Sequence, residues 1–241
     1  MLTQRRNIRK SYLSVLISAP YIMASGPFDS FRSSLKDYFN QETLSDLSVI
    51  CDGQTFKVHR LILCAHSKYF FKQLNGPWKE SSERVINIQD FEISVVKAML
   101  HFMYNFDYTN VNDISPMVFE AQVYQIADKY DIKSLKEHAR KKFSAAINTG
   151  WRTDDFPLAI TVAYTTSPLE DRGLRDLIVE TSSQNIDELL GKGYFCEVLR
   201  NTNDFAADLV PFLRGRGAHV TKQYRCPSCQ EVFSCSPSDS E

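Results

Sequence analysis

The chain has 241 residues, of which 43% are hydrophobic and 12% aromatic, enough to bury the core of one large or two small domains. Its 28 Lys and Arg residues balance 29 Asp and Glu residues, so bulk charge does not favour nucleic acid or an anionic membrane as a partner. We therefore expect a protein or a small ligand as the partner. Of the six cysteines, the first three lie inside apolar patterns with no regular spacing, which argues against a secreted disulfide framework.

The N-terminal segment pairs a basic start with a short apolar run that superficially matches a secretory or mitochondrial leader. Ser14, Ser18 and Pro20 interrupt this run, which is also shorter than the roughly 20 residues of a membrane-spanning helix. We therefore favour a disordered extension over a working leader for residues 1–26. Alternatively, synthesis starts at Met23. Free thiols further along the chain favour the cytoplasm, the nucleus or both as its location.

Residues 27–42 are predicted to contain a short amphipathic helix. Large apolar side chains recur at helical spacing between residues 28 and 39, with charged residues between them. This apolar stripe consists of Phe28, Phe31, Leu35, Tyr38 and Phe39.

A β-hairpin is predicted next, because two alternating segments flank the turn dipeptide Asp52-Gly53. Their inward residues are Leu47, Val49, Cys51, Phe56 and Val58. Two short helices follow over residues 59–65 and 67–74, and Asn75-Gly76-Pro77 ends the second one. A third strand is predicted over residues 84–88.

Helices dominate the next part of the chain. Asp90 is predicted to cap a helix whose stripe includes Val96 and Leu100, and longer helices fit residues 114–130 and 132–147. Strands come first and helices accumulate afterwards, which predicts an α+β domain with helices flanking a small sheet. The lack of regular strand–helix alternation argues against a doubly wound nucleotide-binding fold.

Residues 151–213 are predicted to form an all-helical extension. Ser167-Pro168-Leu169-Glu170 has the capping-box pattern, which predicts a helix from there to about Thr181. Shorter helices are predicted over residues 186–190, 194–199 and 204–213.

The segment over residues 46–74, DLSVICDGQTFKVHRLILCAHSKYFFKQL, closely resembles the opening of a BTB/POZ domain. The resemblance extends over residues 43–147 and implies the BTB/POZ fold, a small mixed sheet flanked by α-helices. Residues 151–213 loosely resemble the BACK-like helical extension that follows such domains, as in fungal-type BTB proteins. The resemblance implies a protein–protein interaction module and not an enzyme.

Asp46 and His59 suggest acid–base chemistry, but the resemblance implies structural roles for both. Asp46 is expected to bind neighbouring backbone donors, and His59 to begin a helix and form hydrogen bonds inside the fold. Cys64 lies between Leu63 and Ala65 without a basic neighbour, so we expect a small buried hydrophobe and not a nucleophile.

The resemblance implies two partner surfaces. In long family members an N-terminal helix packs across a two-fold axis, which assigns the stripe of residues 28–39 to a homodimer interface. The alternative is that the stripe covers the chain's own core. In adaptors of cullin-type ubiquitin ligases, the loop matching residues 75–83 carries a hydrophobic residue, any residue and then Glu, the form of Trp78-Lys79-Glu80. The alternative is that Trp78 packs back onto the domain.

The chain shows no kelch-like repeat or zinc-finger array, so two functions stay open. One is a substrate adaptor for a cullin-type ligase, with residues 151–213 recruiting the target. The other is a dimerising scaffold or transcription-linked cofactor.

Residues 214–241 form a polar tail with one CxxC knuckle, Cys226-Pro-Ser-Cys229. Cys226, Cys229 and Cys235, with His219, are candidate ligands of a structural zinc ion. The alternatives are free thiols or a redox-labile disulfide. Basic residues are few around the knuckle, so a nucleic-acid-reading role is not expected.

Overall fold

The structure is a computed structural model that describes residues 27–110, 114–166, 168–214, 222–225 and 232–235. Its first part is a small mixed sheet flanked by helices, and its second part is helical. The predicted α+β class and the helical extension are confirmed.

The N-terminal helix is shorter than its apolar stripe. Helix α1 spans Pro27–Leu35, and a single 3-10 turn continues it over Lys36–Tyr38. Phe39 leaves the helical conformation, with an extended ψ of 126°. The chain therefore turns toward the sheet at Phe39.

The predicted hairpin and third strand are confirmed. Strands β1, Leu47–Cys51, and β2, Gln54–Val58, pair antiparallel, and β3, Val85–Ile88, pairs parallel to β1. The turn residues Asp52 and Gly53 both have positive φ, 46° and 78°, as a type I′ hairpin turn requires. The sheet order β2-β1-β3 makes the sheet mixed.

Three short helices connect β2 to β3. They are α2, Arg60–His66; α3, Lys68–Asn75; and α4, Lys79–Glu83. Ser67 caps α3, because its hydroxyl oxygen accepts from the Phe70 amide at 3.0 Å.

The prediction of a loop over residues 75–83 is wrong for the second half of this segment, where α4 forms. Lys79 and Glu83 form an i,i+4 ion pair at 3.3 Å, which supports one helical turn. Arg84 then ends the helix in the left-handed conformation, with φ 56°.

Three longer helices complete this part of the fold. They are α5, Ile93–Asn105; α6, Pro116–Lys129; and α7, Lys133–Gly150. The predicted stripes on all three face the core. The cap prediction for Asp90 was wrong, because Glu92 precedes the helix and the Asp90 carboxylate forms an ion pair with Lys129.

The helical extension contains α8, Asp155–Thr166; α9, Arg172–Gln184; α10, Ile186–Leu190; α11, Gly193–Asn201; and α12, Asn203–Arg214. The three shorter predicted helices are confirmed as α10, α11 and α12. The capping-box prediction was wrong, because α9 begins at Arg172. Asp171 caps it by accepting from the Gly173 amide at 3.1 Å.

The extension packs on the first part of the fold and shares its core. Buried side chains continue from the sheet through α6 and α7 into α8, α9, α11 and α12. At the junction, the Tyr124 hydroxyl of α6 donates to Asp171 at 2.6 Å, and Lys136 of α7 forms an ion pair with the same carboxylate at 2.7 Å.

Two short strands lie in the tail. Strands β4, Lys222–Arg225, and β5, Val232–Cys235, pair antiparallel, with Lys222 opposite Cys235. Among the described residues, none of the helices is long and apolar enough to cross a membrane.

Candidate interaction surfaces

The predicted stripe of residues 28–39 is divided between the core and the surface. Leu35 and Phe39 pack partly against the chain's own core, where the Phe39 ring lies 5.4 Å from that of Tyr104, centroid to centroid. Phe31 is 59% exposed, and Tyr38 is exposed too. The side chain of Phe28 lies outside the described part of the structure. The stripe therefore both anchors α1 and leaves apolar surface uncovered.

An apolar groove of about 320 Å³ adjoins this stripe. Its lining comes from the N-terminal segment and from α2, and consists of Leu35, Tyr38, Leu44, Asp46, His59, Leu61 and Ile62. Leu61 is 77% exposed. Sequence reasoning missed Leu61 and Leu44. Leu61 was detectable, because in a helix it lies about 200° from the buried Leu63 two positions later.

Asp46 and His59 hold the start of α2 in place. The Asp46 carboxylate accepts from the Arg60 amide at 2.8 Å. The Tyr104 hydroxyl accepts from the His59 amide at 2.9 Å and lies 2.8 Å from His59 Nδ1. We assign the hydroxyl proton to the Nδ1 contact, which leaves Nε2–H to donate to the Thr43 carbonyl at 3.2 Å.

These contacts disfavour acid–base chemistry by His59 and Tyr104 at the groove. Both ring nitrogens of His59 are engaged, and burial raises the pKa of the Tyr104 hydroxyl to about 12. Burial also raises the pKa of the Cys64 thiol, which lowers its thiolate fraction at neutral pH.

The structure places Trp78 and Glu80 together at the start of α4. Trp78 is 61% exposed, whereas Glu80 is half-buried in the first turn. The chain before α4 is fixed, because the Leu74 carbonyl accepts from the Ser81 hydroxyl at 2.7 Å and from Arg60 at 2.5 Å.

Phe71 adds a second exposed aromatic side chain on α3, the helix against which α4 packs. Sequence reasoning missed Phe71. The signal was its position next to the buried Phe70, because neighbouring residues lie about 100° apart around a helix and cannot share one narrow buried face.

The candidate zinc ligands are only partly described. Cys226, Cys229 and His219 lie outside the described residues, and Cys235 ends β5. Within the described ranges, no group of three or more His, Cys, Asp and Glu side chains is placed to hold a metal ion. Zinc in the tail stays a prediction.

Comparison with known proteins identifies the first part of the chain. The BTB/POZ domain family model matches residues 35–146. The chain therefore contains a BTB/POZ domain, and the resemblance predicted from residues 46–74 is confirmed. Domains of this family are protein–protein interaction modules.

Two relatives show the extent of the similarity. The BTB/POZ and MATH domain-containing protein 3 of Arabidopsis thaliana is 34% identical over 117 residues, which cover 46% of this chain and 29% of the relative. The human Kelch repeat and BTB domain-containing protein 4 is 26% identical over 117 residues, covering 48% of this chain and 21% of the relative. The chain thus spans less than a third of these relatives.

A solved structure, the BTB domain of human gigaxonin, is 23% identical to this chain with a TM-score of 0.38. The match covers 49% of this chain and 93% of the gigaxonin domain.

Proposed function

We propose that this protein is a dimeric substrate adaptor that binds a cullin-type ubiquitin ligase scaffold, acting by binding and not by catalysis. The observation that carries the proposal is the position of Trp78 and Glu80, exposed and half-buried respectively, at the start of α4 in a BTB/POZ domain. An indole supplies a large rigid apolar anchor, and a carboxylate beside it fixes the orientation of the partner.

Dimerisation is supported by the apolar surface on α1 and α2. Phe31 and Leu61 are exposed in the single chain, as is Leu44 at the groove. Burial of a large apolar side chain contributes about 1.5–3 kcal/mol when it is complete. A second copy related by a two-fold axis presents the same surface, so each α1 covers apolar residues of the other.

Target recruitment is assigned to the helical extension. The two relatives carry MATH or Kelch regions by name, whereas this chain continues with α8 to α12. The extension exposes large apolar side chains on four of its helices, and these are Leu158, Leu190, Tyr194, Val210 and Phe212. Such side chains are suited to bind a protein target.

Binding of the purified protein to a cullin N-terminal domain, measured by calorimetry, tests the proposal. The double substitution Trp78→Ala and Glu80→Ala should weaken binding about thirtyfold or more, since it removes an interface anchor. Tyr194→Ala is the matched control, because Tyr194 is 64% exposed on α11 and belongs to the proposed target-binding surface, not to the proposed cullin-binding surface. Equal affinity of the wild type and the double variant would dismiss Trp78 and Glu80 as the contact surface, and a wild type that does not bind would dismiss the adaptor function.

The alternative is a dimerising scaffold or transcription-linked cofactor, which the apolar groove beside α1 favours. A wild-type protein that dimerises but does not bind the cullin domain supports this alternative. Recovery of chromatin or corepressor proteins with the purified chain would support the transcription-linked form.

A further inference from the structure

The indole of Trp78 lies against the backbone of Gly76. A Cβ atom added to Gly76 would come within 2.6 Å of Trp78 Cδ1 and 2.8 Å of Nε1. Non-bonded carbon atoms pack at about 3.5–4.0 Å, so no side chain fits at position 76 while the indole holds this position. The pyrrole edge of Trp78 therefore occupies the space that a side chain at Gly76 would take.

The backbone conformation does not explain the glycine. Gly76 has φ −91° and ψ −179°, an extended conformation that any residue adopts. The added Cβ would also lie 2.8 Å from the Lys72 carbonyl oxygen at the end of α3. Glycine is thus required by the close approach of two groups, the indole on one side and α3 on the other.

The chain on either side of this contact is held firmly. The Leu74 carbonyl accepts from Arg60 and from the Ser81 hydroxyl, which ties the end of α3 to α2 and to α4. The platform under the indole and the start of α4, where Trp78 lies, are therefore fixed relative to each other. Trp78 still exposes 61% of its surface, so most of the ring is available to a partner.

We propose that Gly76 is a positioning residue for Trp78, because it lets the indole rest on the backbone in one orientation before any partner binds. This proposal rests on the proposed function of Trp78 as the partner anchor. A side chain that is ordered before binding loses less conformational freedom in the complex. Gly76 would thereby strengthen binding without contacting the partner.

The substitution Gly76→Ala tests the effect on binding to the cullin N-terminal domain. Release of the indole should weaken binding about two- to tenfold, the range expected when one side chain must be ordered on binding. Gly193→Ala is the matched control, since a Cβ at Gly193 meets no atom within 4 Å. Unchanged affinity of Gly76→Ala would overturn the proposal.

A second measurement needs no partner. In protein labelled with 5-fluorotryptophan, the fluorine resonance of Trp78 should move toward the value of the free amino acid in Gly76→Ala. The resonance of Trp151, which is buried, should stay in place and serves as the reference for an intact fold. A Trp78 resonance that does not move would overturn the positioning role, whatever the affinity is.

A third measurement keeps Gly76 unchanged, in case the contact with Lys72 prevents Gly76→Ala from folding. The ring current of the indole should shift the Gly76 Hα resonance, and Trp78→Leu should abolish this shift. An identical Gly76 resonance in both proteins would contradict the contact. If the resonances change as expected but the wild type does not bind the cullin domain, the adaptor function fails and the positioning role stands.

Discussion

A buried carboxyl group, Glu120 on α6, makes the stability of this fold depend on pH. Glu120 is 6% exposed and accepts a hydrogen bond from the Tyr108 hydroxyl. Burial raises the pKa of Glu120 to about 7. The Lys142 ammonium lies 4.0 Å from the centre of the Tyr108 ring and donates to Asp107 at 2.7 Å.

The sign of the effect follows from the direction of the shift. The folded protein holds the Glu120 proton more tightly than the unfolded chain, whose carboxyl has the ordinary value of 4.5. The stability that protonation provides is therefore complete below pH 4.5 and is lost as the pH rises to about 7. Asp107 does not titrate in this pH range. Burial raises its pKa, but hydrogen bonds from Lys142 and His138 outweigh that effect and lower the pKa to about 2.

We predict that Glu120→Gln removes this dependence. The amide keeps an acceptor for Tyr108 but has no proton to lose. In the wild type, the Glu120 carboxyl should make the unfolding equilibrium constant rise with pH, by up to about tenfold per pH unit between pH 4.5 and 7. Urea denaturation at several pH values measures the effect. A variant with the same slope as the wild type in this window would contradict the assignment.

At the scale of elements, the junction between the BTB/POZ domain and the extension depends on one carboxylate. Asp171 caps α9 and also binds Tyr124 of α6 and Lys136 of α7. A Cβ added to Gly173 would lie 2.1 Å from the Tyr124 hydroxyl oxygen, so this position also needs a glycine for space. The first turn of α9 therefore fits directly onto α6.

Asp171→Ala should lower the free energy of unfolding by about 1–3 kcal/mol, since it removes a cap and leaves the Tyr124 hydroxyl without its acceptor. The control is Asp187→Ala, which alters an exposed carboxylate in the first turn of α10. Chemical denaturation of both variants measures the difference. Equal stability of the two variants would show that the junction does not rely on Asp171.

The same elements explain how far the sequence alone could lead. The hairpin follows from Asp52-Gly53 and its flanking alternation, and α5 to α7 follow from their stripes, because these signals are local. Helix α8 was not predicted, because its own residues are apolar on most sides and show no amphipathic stripe. Pro157 and several β-branched residues also make the segment less typical of a helix. The start of α9 was wrong because contacts with Tyr124 and Lys136, distant in sequence, select Asp171 as the cap.

The candidate surfaces also divide into features that local sequence signals predict and features that depend on contacts between distant residues. Trp78 and Glu80 could be proposed from the sequence because their motif is local and the family resemblance gives its place. The contact of Trp78 with Gly76 and the groove lined by Leu44 and Leu61 require the positions of separate segments in space. Burial of Glu120 was also hidden, since a charged residue beside Phe119 on an amphipathic helix is usually solvated.

At the scale of the whole molecule, the two proposed partner surfaces lie on different elements of the fold. One is the apolar surface of α1 and α2, which we assign to a second copy of the chain. The other surrounds Trp78 at the start of α4, which we assign to a cullin. A dimer would present two cullin-binding surfaces and two helical extensions, so its avidity for a divalent target would exceed that of one chain.

The central claim is that two copies of the chain associate through α1 and α2. The mass of the chain in solution, determined by sedimentation, tests it most directly. We predict twice the 27.7 kDa of one chain for the wild type, and a single-chain mass for the double variant Phe31→Glu and Leu61→Glu. The control Leu158→Glu, at a side chain that is 58% exposed on α8, should remain a dimer. A wild-type protein that sediments as one chain, or a double variant that stays dimeric, would contradict the account.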